Sequence, residues 1–369
     1  MRIILLLIAA AISVRAQPEP PPQVKSGPGS SGYPHAAVKT TKHGKGGTEF
    51  HLFQPADPAP EVVPVIVFLH GWTAIDPWLY GAWIEHLVKR GNIVIYPRWQ
   101  ENFMTPQPEF TPNAVKAVLD AKAELEKQGH VLPDWQKFAI AGHSVGGLLT
   151  ASLGALAAEK GLPAPKALMS VQPGRSARGQ SWGVPLADLS RIPAETLLLC
   201  ITGERDNVCG AGDALRIYEE SAAIPGSRKS VIEQPLEVRG GIKLTGSHLA
   251  PCSVPADPLD ALVAEGELRD PPAAALISAA GGDFREAREF LCTPVGRQWR
   301  RVKLREVAVG ETFDFPNAQD FALWRLFDTL CAAAFAGKAD DHALARTPEA
   351  LSMGLWSDGA TARPMRLLK

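Results

Sequence analysis

Long apolar segments and blocks of like charge are both scarce in this chain of 369 residues. Lysine and arginine number 38 against 39 aspartates and glutamates, so the net charge is −1. No basic block is long enough to suggest a nucleic-acid-binding tract. Beyond the first residues, no segment is long and apolar enough to cross a bilayer. We therefore expect neither a nucleic-acid partner nor a membrane span in the mature protein.

Cysteine is also infrequent, and its placement offers no metal motif. The sequence has no C-x-x-C pair, and no close grouping of histidine and cysteine suggests zinc. No other cofactor motif is visible, and we expect none. Because the number of cysteines is odd, at least one thiol is free or paired between chains. All of them lie in the second half of the chain: Cys200, Cys209, Cys252, Cys292 and Cys331.

The first residues have the pattern of a secretory signal peptide. A basic start is followed by an apolar run from Ile3 to Val14 and a small-residue cleavage site after Ala16. The alternative is a membrane anchor, but this run is well short of the ~20 residues that a span requires. Residues 17–40 are rich in Pro, Gly and Ser and predict a flexible leader. We expect a secreted or periplasmic protein.

The rest of the chain, 41–369, predicts one α/β domain. Near-continuous apolar runs, such as residues 62–71, alternate with helical segments, such as a helix capped by Thr111 that ends at Gly129. Strands buried on both faces and separated by helices indicate a doubly wound, mostly parallel sheet with helices on both faces. Residues 253–316 break this alternation and predict an insertion or lid before a last long helix.

A serine inside G-x-S-x-G is the first candidate for chemistry, and the pattern occurs twice. Ser144 lies in Gly142-His143-Ser144-Val145-Gly146, between an apolar strand and a helix, whereas Ser181 lies among polar loop residues. A sharp strand-to-helix turn lifts a serine hydroxyl clear of the sheet and directs helix amides toward developing negative charge. The sequence therefore favours Ser144 as a nucleophile and Ser181 as a loop residue.

A serine nucleophile needs a histidine base and an acid that orients the base. In doubly wound hydrolases these follow the serine in the order acid, then histidine. Beyond residue 206 the histidines are His248, after a strand, and His342, in a charged stretch. We expect His248 as the base and Asp206, directly after an earlier strand, as the acid, with Glu204 as the alternative.

These segments together resemble the α/β-hydrolase superfamily, with a secreted esterase or lipase character that is loosely similar to the polyester-hydrolase, cutinase-like and acetylhydrolase branches. The resemblance extends over residues 60–250. The residues that carry it are Phe68-Leu69-His70-Gly71-Trp72, Gly142-His143-Ser144-Val145-Gly146, Gly203 with Asp206 and Val208, and Ser247-His248-Leu249.

The resemblance implies further roles. The backbone amides of Trp72 and Val145 would form the oxyanion hole, and His70 would serve to hold the loop in place. Some secreted polyester hydrolases carry a disulfide beside the active site. Cys209 and Cys252 closely follow the expected acid and base, so they are expected to form such a bridge.

The function that follows is hydrolysis of a small-molecule or polymeric carboxylic ester through an acyl-enzyme intermediate. Two alternatives stay open: a peptidase or amidase with the same triad, and an inactive hydrolase fold that only binds. The sequence does not select the acyl group.

Overall fold

The computed structural model describes residues 17–102, 104–177, 183–253 and 318–369. The predicted signal peptide, residues 1–16, lies outside the described residues, as does the predicted insertion except for Ser253. Within the described ranges, no helix combines the length and apolar character needed to cross a membrane.

Nine strands of the described chain form one twisted sheet. Their order across the sheet is β1 (Ala37–His43), β2 (Phe50–Ala56), β4 (Ile93–Pro97), β3 (Val62–Leu69), β5 (Leu132–His143), β6 (Ala167–Val171), β7 (Leu197–Gly203), β8 (Lys229–Gln234) and β11 (Arg366–Leu367). The six central strands, β3 to β8, run parallel, while β1, β2 and β11 pair antiparallel at the edges. A separate hairpin joins β9 (Leu236–Arg239) and β10 (Ile242–Thr245).

Helices cover both faces of this sheet, and the sheet divides the apolar core into two clusters. Successive side chains of β3 point to opposite faces, so Ile66 and Phe68 join one apolar cluster and Val65 and Val67 the other. The first cluster includes α1 (Gly81–Lys89) and α5 (Ala318–Phe335), and the second includes α2 (Phe110–Leu125), α3 (Val145–Lys160) and α4 (Gly212–Glu220). A short α6 (Pro348–Leu351) follows α5.

The predicted doubly wound, mostly parallel sheet is confirmed. Both boundaries of one helix differ from expectation. The helix α2 begins at Phe110, not after Thr111, because a 3₁₀ turn at Gln107–Glu109 leads directly into it. It also ends at Leu125, before Gly129.

The Pro- and Gly-rich leader is attached to the domain by specific hydrogen bonds. It has no strand before β1, as its composition suggests, but β1 itself begins at Ala37, inside the range assigned to the leader. The amide of Gly29 donates to Asp328 Oδ2 at 2.8 Å, and the amide of Glu19 donates to Ser357 Oγ at 2.8 Å. The Tyr33 hydroxyl lies 3.1 Å from His86 Nδ1. The leader has the composition of a flexible segment, but tertiary contacts hold it in place.

Close contact between α3 and the end of β3 depends on Gly146. A Cβ atom at this position would lie 2.1 Å from the carbonyl oxygen of Leu69 and 2.4 Å from that of His70. These backbone atoms belong to the sheet and to the loop that follows it, so they cannot move aside cheaply. The absence of a side chain therefore fixes how closely the helix approaches the strand.

We expect Gly146→Ala to lower the free energy of unfolding by about 1–3 kcal/mol, because the added methyl overpacks the contact. Helix propensity alone would favour alanine by up to about 1 kcal/mol, so the predicted sign is opposite. Urea denaturation followed by circular dichroism measures the change.

Gly226→Ala is the matched control, since an added Cβ there would meet no atom closer than 4.0 Å. We expect the control to change stability by less than about 0.5 kcal/mol. Equal stability of the Gly146 variant and the wild type would contradict the packing argument.

Candidate active site

Three side chains from the carboxyl ends of three strands meet at one edge of the sheet. Ser144 follows β5, Asp206 follows β7 and His248 lies in the loop that follows β10. His248 Nε2 is 2.9 Å from Ser144 Oγ, and its Nδ1 is 3.0 Å from Asp206 Oδ2. All three residues are buried, with 5–7% of their surface exposed. The structure thus brings together the three residues that the sequence analysis selected.

Ser144 occupies the strained turn that the motif predicts. Its backbone has φ 58° and ψ −122°, a region that residues with a side chain rarely adopt. The Ser144 amide donates to the carbonyl oxygen of Val171 at 2.9 Å, which anchors the turn on the neighbouring strand β6. The serine is also the N-cap residue of α3, so the first amides of that helix lie beside its hydroxyl.

Three atoms of its surroundings fix the Asp206 carboxylate. Its Oδ1 accepts hydrogen bonds from the amides of Val208 at 3.0 Å and Cys209 at 2.9 Å, while Oδ2 faces His248. Burial raises the pKa of Asp206, but the charge and hydrogen bond of His248 and the two amides outweigh it. The net pKa is lower than usual, so the carboxylate stays ionised.

Glu204, the alternative acid, points elsewhere. It is exposed, accepts from the amide of Leu236 at 2.6 Å and forms an ion pair with Arg363 at 2.7 Å. The other histidine, His342, lies on the exposed stretch before α6 and contacts Thr347 at 3.1 Å. The geometry therefore distinguishes Asp206 from Glu204, a distinction that the sequence left open.

The histidine loop is attached to the sheet by a residue that the sequence analysis missed. Gln172 follows β6, is fully buried and donates from Nε2 to the carbonyl oxygen of Ser247 at 2.6 Å. The Arg205 amide donates to the carbonyl oxygen of Gly246 at 3.0 Å. The loop is thereby held directly before His248. No local pattern marks Gln172, although it is the first residue after a buried strand.

The electrostatic surroundings of His248 favour its charged form. Burial lowers the pKa of His248, whereas the sulfur of Cys209, the carboxylate of Asp206 and the hydrogen bonds with both raise it. The net pKa lies well above its ordinary value. The imidazolium that forms when a serine loses its proton is therefore stabilised here.

The loop after β3 holds its shape through four polar contacts. His70 is fully buried, and its Nδ1 and Nε2 each lie 2.7 Å from a carbonyl oxygen, those of Gly71 and Arg98. Burial lowers the pKa of His70 to about 4. The Gly71 amide donates to the Tyr80 hydroxyl at 2.9 Å, and the Thr73 amide donates to Gln100 Oε1 at 2.8 Å. These contacts are those of a residue that holds a loop in place, the role expected for His70.

Trp72 lies between these two tethered amides and lines the pocket that contains Ser144 and His248. The amide of Val145, the first residue of α3, directly follows Ser144 along the chain. Tyr80, which the sequence analysis did not single out, also lines this pocket and lies 2.8 Å from His143 Nδ1 through its hydroxyl. The remaining lining is mostly apolar or backbone, from Ala74, Leu79, Leu249 and Cys252.

The predicted disulfide between Cys209 and Cys252 is not present in this structure. The Cys209 sulfur faces His248 Nε2 at 3.9 Å, whereas Cys252 shares a side-chain hydrogen bond with Tyr80. The Ser253 amide donates to the carbonyl oxygen of Leu79 at 2.9 Å. Because Ser253 follows Cys252 and Leu79 precedes Tyr80, this bond holds Cys252 beside Tyr80. The two cysteines therefore contact different groups, although the loops that carry them meet.

Cys200 and Cys331 have no part in the site. Cys200 lies in β7, and burial raises its pKa to about 12, as expected for an inert core thiol. Burial also raises the pKa of Cys331, in α5, well above its usual value. Cys292 and the second motif serine, Ser181, lie outside the described residues.

Comparison with known proteins gives one family and several solved structures. The chlorophyllase family model matches residues 41–182, less than half of the chain, a segment that contains Ser144 but neither Asp206 nor His248. No curated protein matches the sequence. A mutant of the esterase rPPE is 19% identical with a TM-score of 0.43, and covers 58% of this chain and 75% of its own. One of two fungal esterases from Rhizomucor miehei is 15% identical with a TM-score of 0.44, covering 61% and 81%.

The fold itself carries the classification. A serine on a strained strand-to-helix turn, followed along the chain by the acid and then the histidine, is the arrangement of one large group of doubly wound enzymes. Here that arrangement lies at the carboxyl edge of a parallel sheet covered by helices on both faces. The part of the chain that the structure describes accordingly has the α/β-hydrolase fold.

Proposed function

We propose that the protein is a serine hydrolase that cleaves carboxylic esters through an acyl-enzyme intermediate. The observation that carries the proposal is the unbroken hydrogen-bonded series from Ser144 Oγ through His248 to Asp206, at 2.9 and 3.0 Å. The resemblance to α/β-hydrolases and the match to the chlorophyllase family support an ester as the bond that is cleaved.

In the first half of the reaction, Ser144 Oγ attacks the ester carbonyl carbon while His248 Nε2 takes the hydroxyl proton. Asp206 holds the imidazole with its proton on Nδ1, which leaves the Nε2 lone pair directed at the serine. The protonated His248 then gives that proton to the leaving alcohol oxygen. In the second half, His248 takes a proton from water as the water oxygen adds to the acyl carbon. The bond between that carbon and Ser144 Oγ then breaks, the serine regains its proton from His248, and the carboxylic acid is released.

The negative charge on the carbonyl oxygen is assigned to the amides of Trp72 and Val145. The Trp72 amide lies in the loop that His70, Tyr80 and Gln100 hold in place, and the Val145 amide begins α3. Donors fixed in advance need no reorganisation when the charge appears, and one such donor is typically worth about 3–4 kcal/mol.

Replacing the nucleophile tests the proposal directly. We expect Ser144→Ala to reduce kcat/KM for p-nitrophenyl acetate by at least about 10⁴-fold, because no other group forms the acyl-enzyme. The same variant should lose labelling by a fluorophosphonate probe. Ser190→Ala is the matched control, since Ser190 is exposed and its hydroxyl donates to Asp188 Oδ1 at 2.6 Å. Activity of the Ser144 variant at the wild-type level would reject the assignment, and an unlabelled, inactive wild type would indicate a binding protein.

The two acids after β7 provide a second test. We expect Asp206→Asn to lower kcat by up to about 10⁴-fold, because an amide cannot hold the proton on His248 Nδ1. Glu204→Gln removes an exposed ion pair and should leave kcat within about twofold of the wild type. Initial rates on p-nitrophenyl acetate measure both variants. The opposite order of effects would transfer the acid role to Glu204.

Export from the cytoplasm is a further part of the proposed function and rests on the sequence of residues 1–16 alone. We expect the full chain, expressed in a host with a secretory pathway, to be recovered outside the cytoplasm with Gln17 as its first residue. Intact mass spectrometry measures this, with a chain that starts at residue 17 as the mass reference. Recovery of the uncleaved chain from the cytoplasm would contradict the prediction.

A further inference from the structure

A second side chain faces the base of the proposed triad. The sulfur of Cys209 is 3.9 Å from His248 Nε2, the same nitrogen that lies 2.9 Å from Ser144 Oγ. Ligand atoms of Asp206, Cys209 and His248 all lie within 4.8 Å of one another. A thiol, an imidazole and a carboxylate are the ligand types that Zn²⁺ and similar thiophilic cations prefer.

The distance between Cys209 Sγ and His248 Nε2 fits a metal ion that both atoms bind. A Zn²⁺ ion binds sulfur at about 2.3 Å and imidazole nitrogen at about 2.0–2.1 Å. In a tetrahedral arrangement these bonds place the sulfur and the nitrogen about 3.5 Å apart. The observed distance of 3.9 Å needs only a small closing movement or a wider angle at the metal.

The histidine is already arranged as a metal ligand would be. Metal-binding histidines usually donate their other ring N–H to a carboxylate, which fixes the tautomer and raises the basicity of the ligating nitrogen. His248 Nδ1 faces Asp206 Oδ2 at 3.0 Å in this way, so in the neutral imidazole the lone pair lies on Nε2. Asp206 therefore supports the site from outside instead of binding the metal.

The same carboxylate also fixes the cysteine. Asp206 Oδ1 accepts a hydrogen bond from the Cys209 amide at 2.9 Å. One side chain therefore positions both residues that would bind the metal, Cys209 and His248. The sulfur packs against Gly174, where an added Cβ would lie only 1.9 Å from it. A larger residue at that position would displace the sulfur. Cys209 is half-buried, so the sulfur lies at the boundary between the site and solvent.

We propose that Cys209 and His248 form an inhibitory site for a thiophilic divalent cation such as Zn²⁺, with water completing its coordination. On binding, the Cys209 S–H bond breaks, the proton passes to solvent and a sulfur–metal bond forms, with no change of oxidation state. The Nε2 lone pair then binds the metal and no longer accepts the proton of Ser144. This regulation rests on the proposed function, because it acts by removing the base of that reaction.

Enzyme inhibition gives the first test. We expect ZnCl₂ to lower kcat on p-nitrophenyl acetate in the wild type, and EDTA to restore it. Cys209→Ser should need at least about tenfold more Zn²⁺ for half-inhibition, since the principal metal ligand is lost. Cys331→Ala, which removes a core thiol in α5, is the control and should be inhibited like the wild type. Equal sensitivity of the Cys209 variant and the wild type would overturn the site.

A binding measurement separates this inference from the catalytic proposal. We expect CdCl₂ to produce a thiolate-to-cadmium absorption band in the ultraviolet with both the wild type and the inactive Ser144→Ala variant. The band should be absent from Cys209→Ser. If the band appears but the wild type has no esterase activity, the metal-site proposal is supported and only the proposed function is rejected. Absence of the band from an active wild-type enzyme, or its persistence in the Cys209 variant, would reject the metal site alone.

Discussion

The hydrogen bond between Asp206 and His248 is the interaction on which the proposed chemistry of this protein depends. It fixes the proton of the imidazole on Nδ1 and leaves the lone pair of Nε2 directed at Ser144, at 2.9 Å. The same bond prepares His248 to ligate a metal, because base and ligand use one lone pair. An ionised carboxylate in a buried site is costly, and the amides of Val208 and Cys209 offset that cost.

Holding these groups in place requires a second set of contacts behind the first. The backbone of Ser144 lies in a region that costs about 1–3 kcal/mol, and the packing of α3 on β3 maintains it. Gln172 holds the histidine loop, and Tyr80 joins the Gly71 amide to His143. Such supporting residues determine how closely the reacting groups keep their distances, although none of them reacts.

Local sequence patterns identified the parts of the structure that depend on interactions between residues close together in the chain. Apolar runs became buried strands, and a serine between a strand and a helix became a strained turn. Local patterns did not predict structure that depends on contacts between residues far apart in the chain. The polar strand β1 forms because it pairs with β2, and the leader is held because Gly29 meets Asp328 across the domain. The start of α2 was misplaced because the preceding 3₁₀ turn replaces a side-chain cap at Thr111.

The sequence by itself determined the fold class and selected Ser144 as the candidate nucleophile and His248 as the candidate base, because residue order along a βα chain dictates which loops share an edge of the sheet. Only the tertiary structure decided between Asp206 and Glu204, since both follow the same strand and only the direction of the side chain differs. It also separated Cys209 from Cys252 and turned the former toward His248. Proximity of two loops follows from topology, whereas the partner of each side chain depends on distances of a few ångströms that packing alone sets.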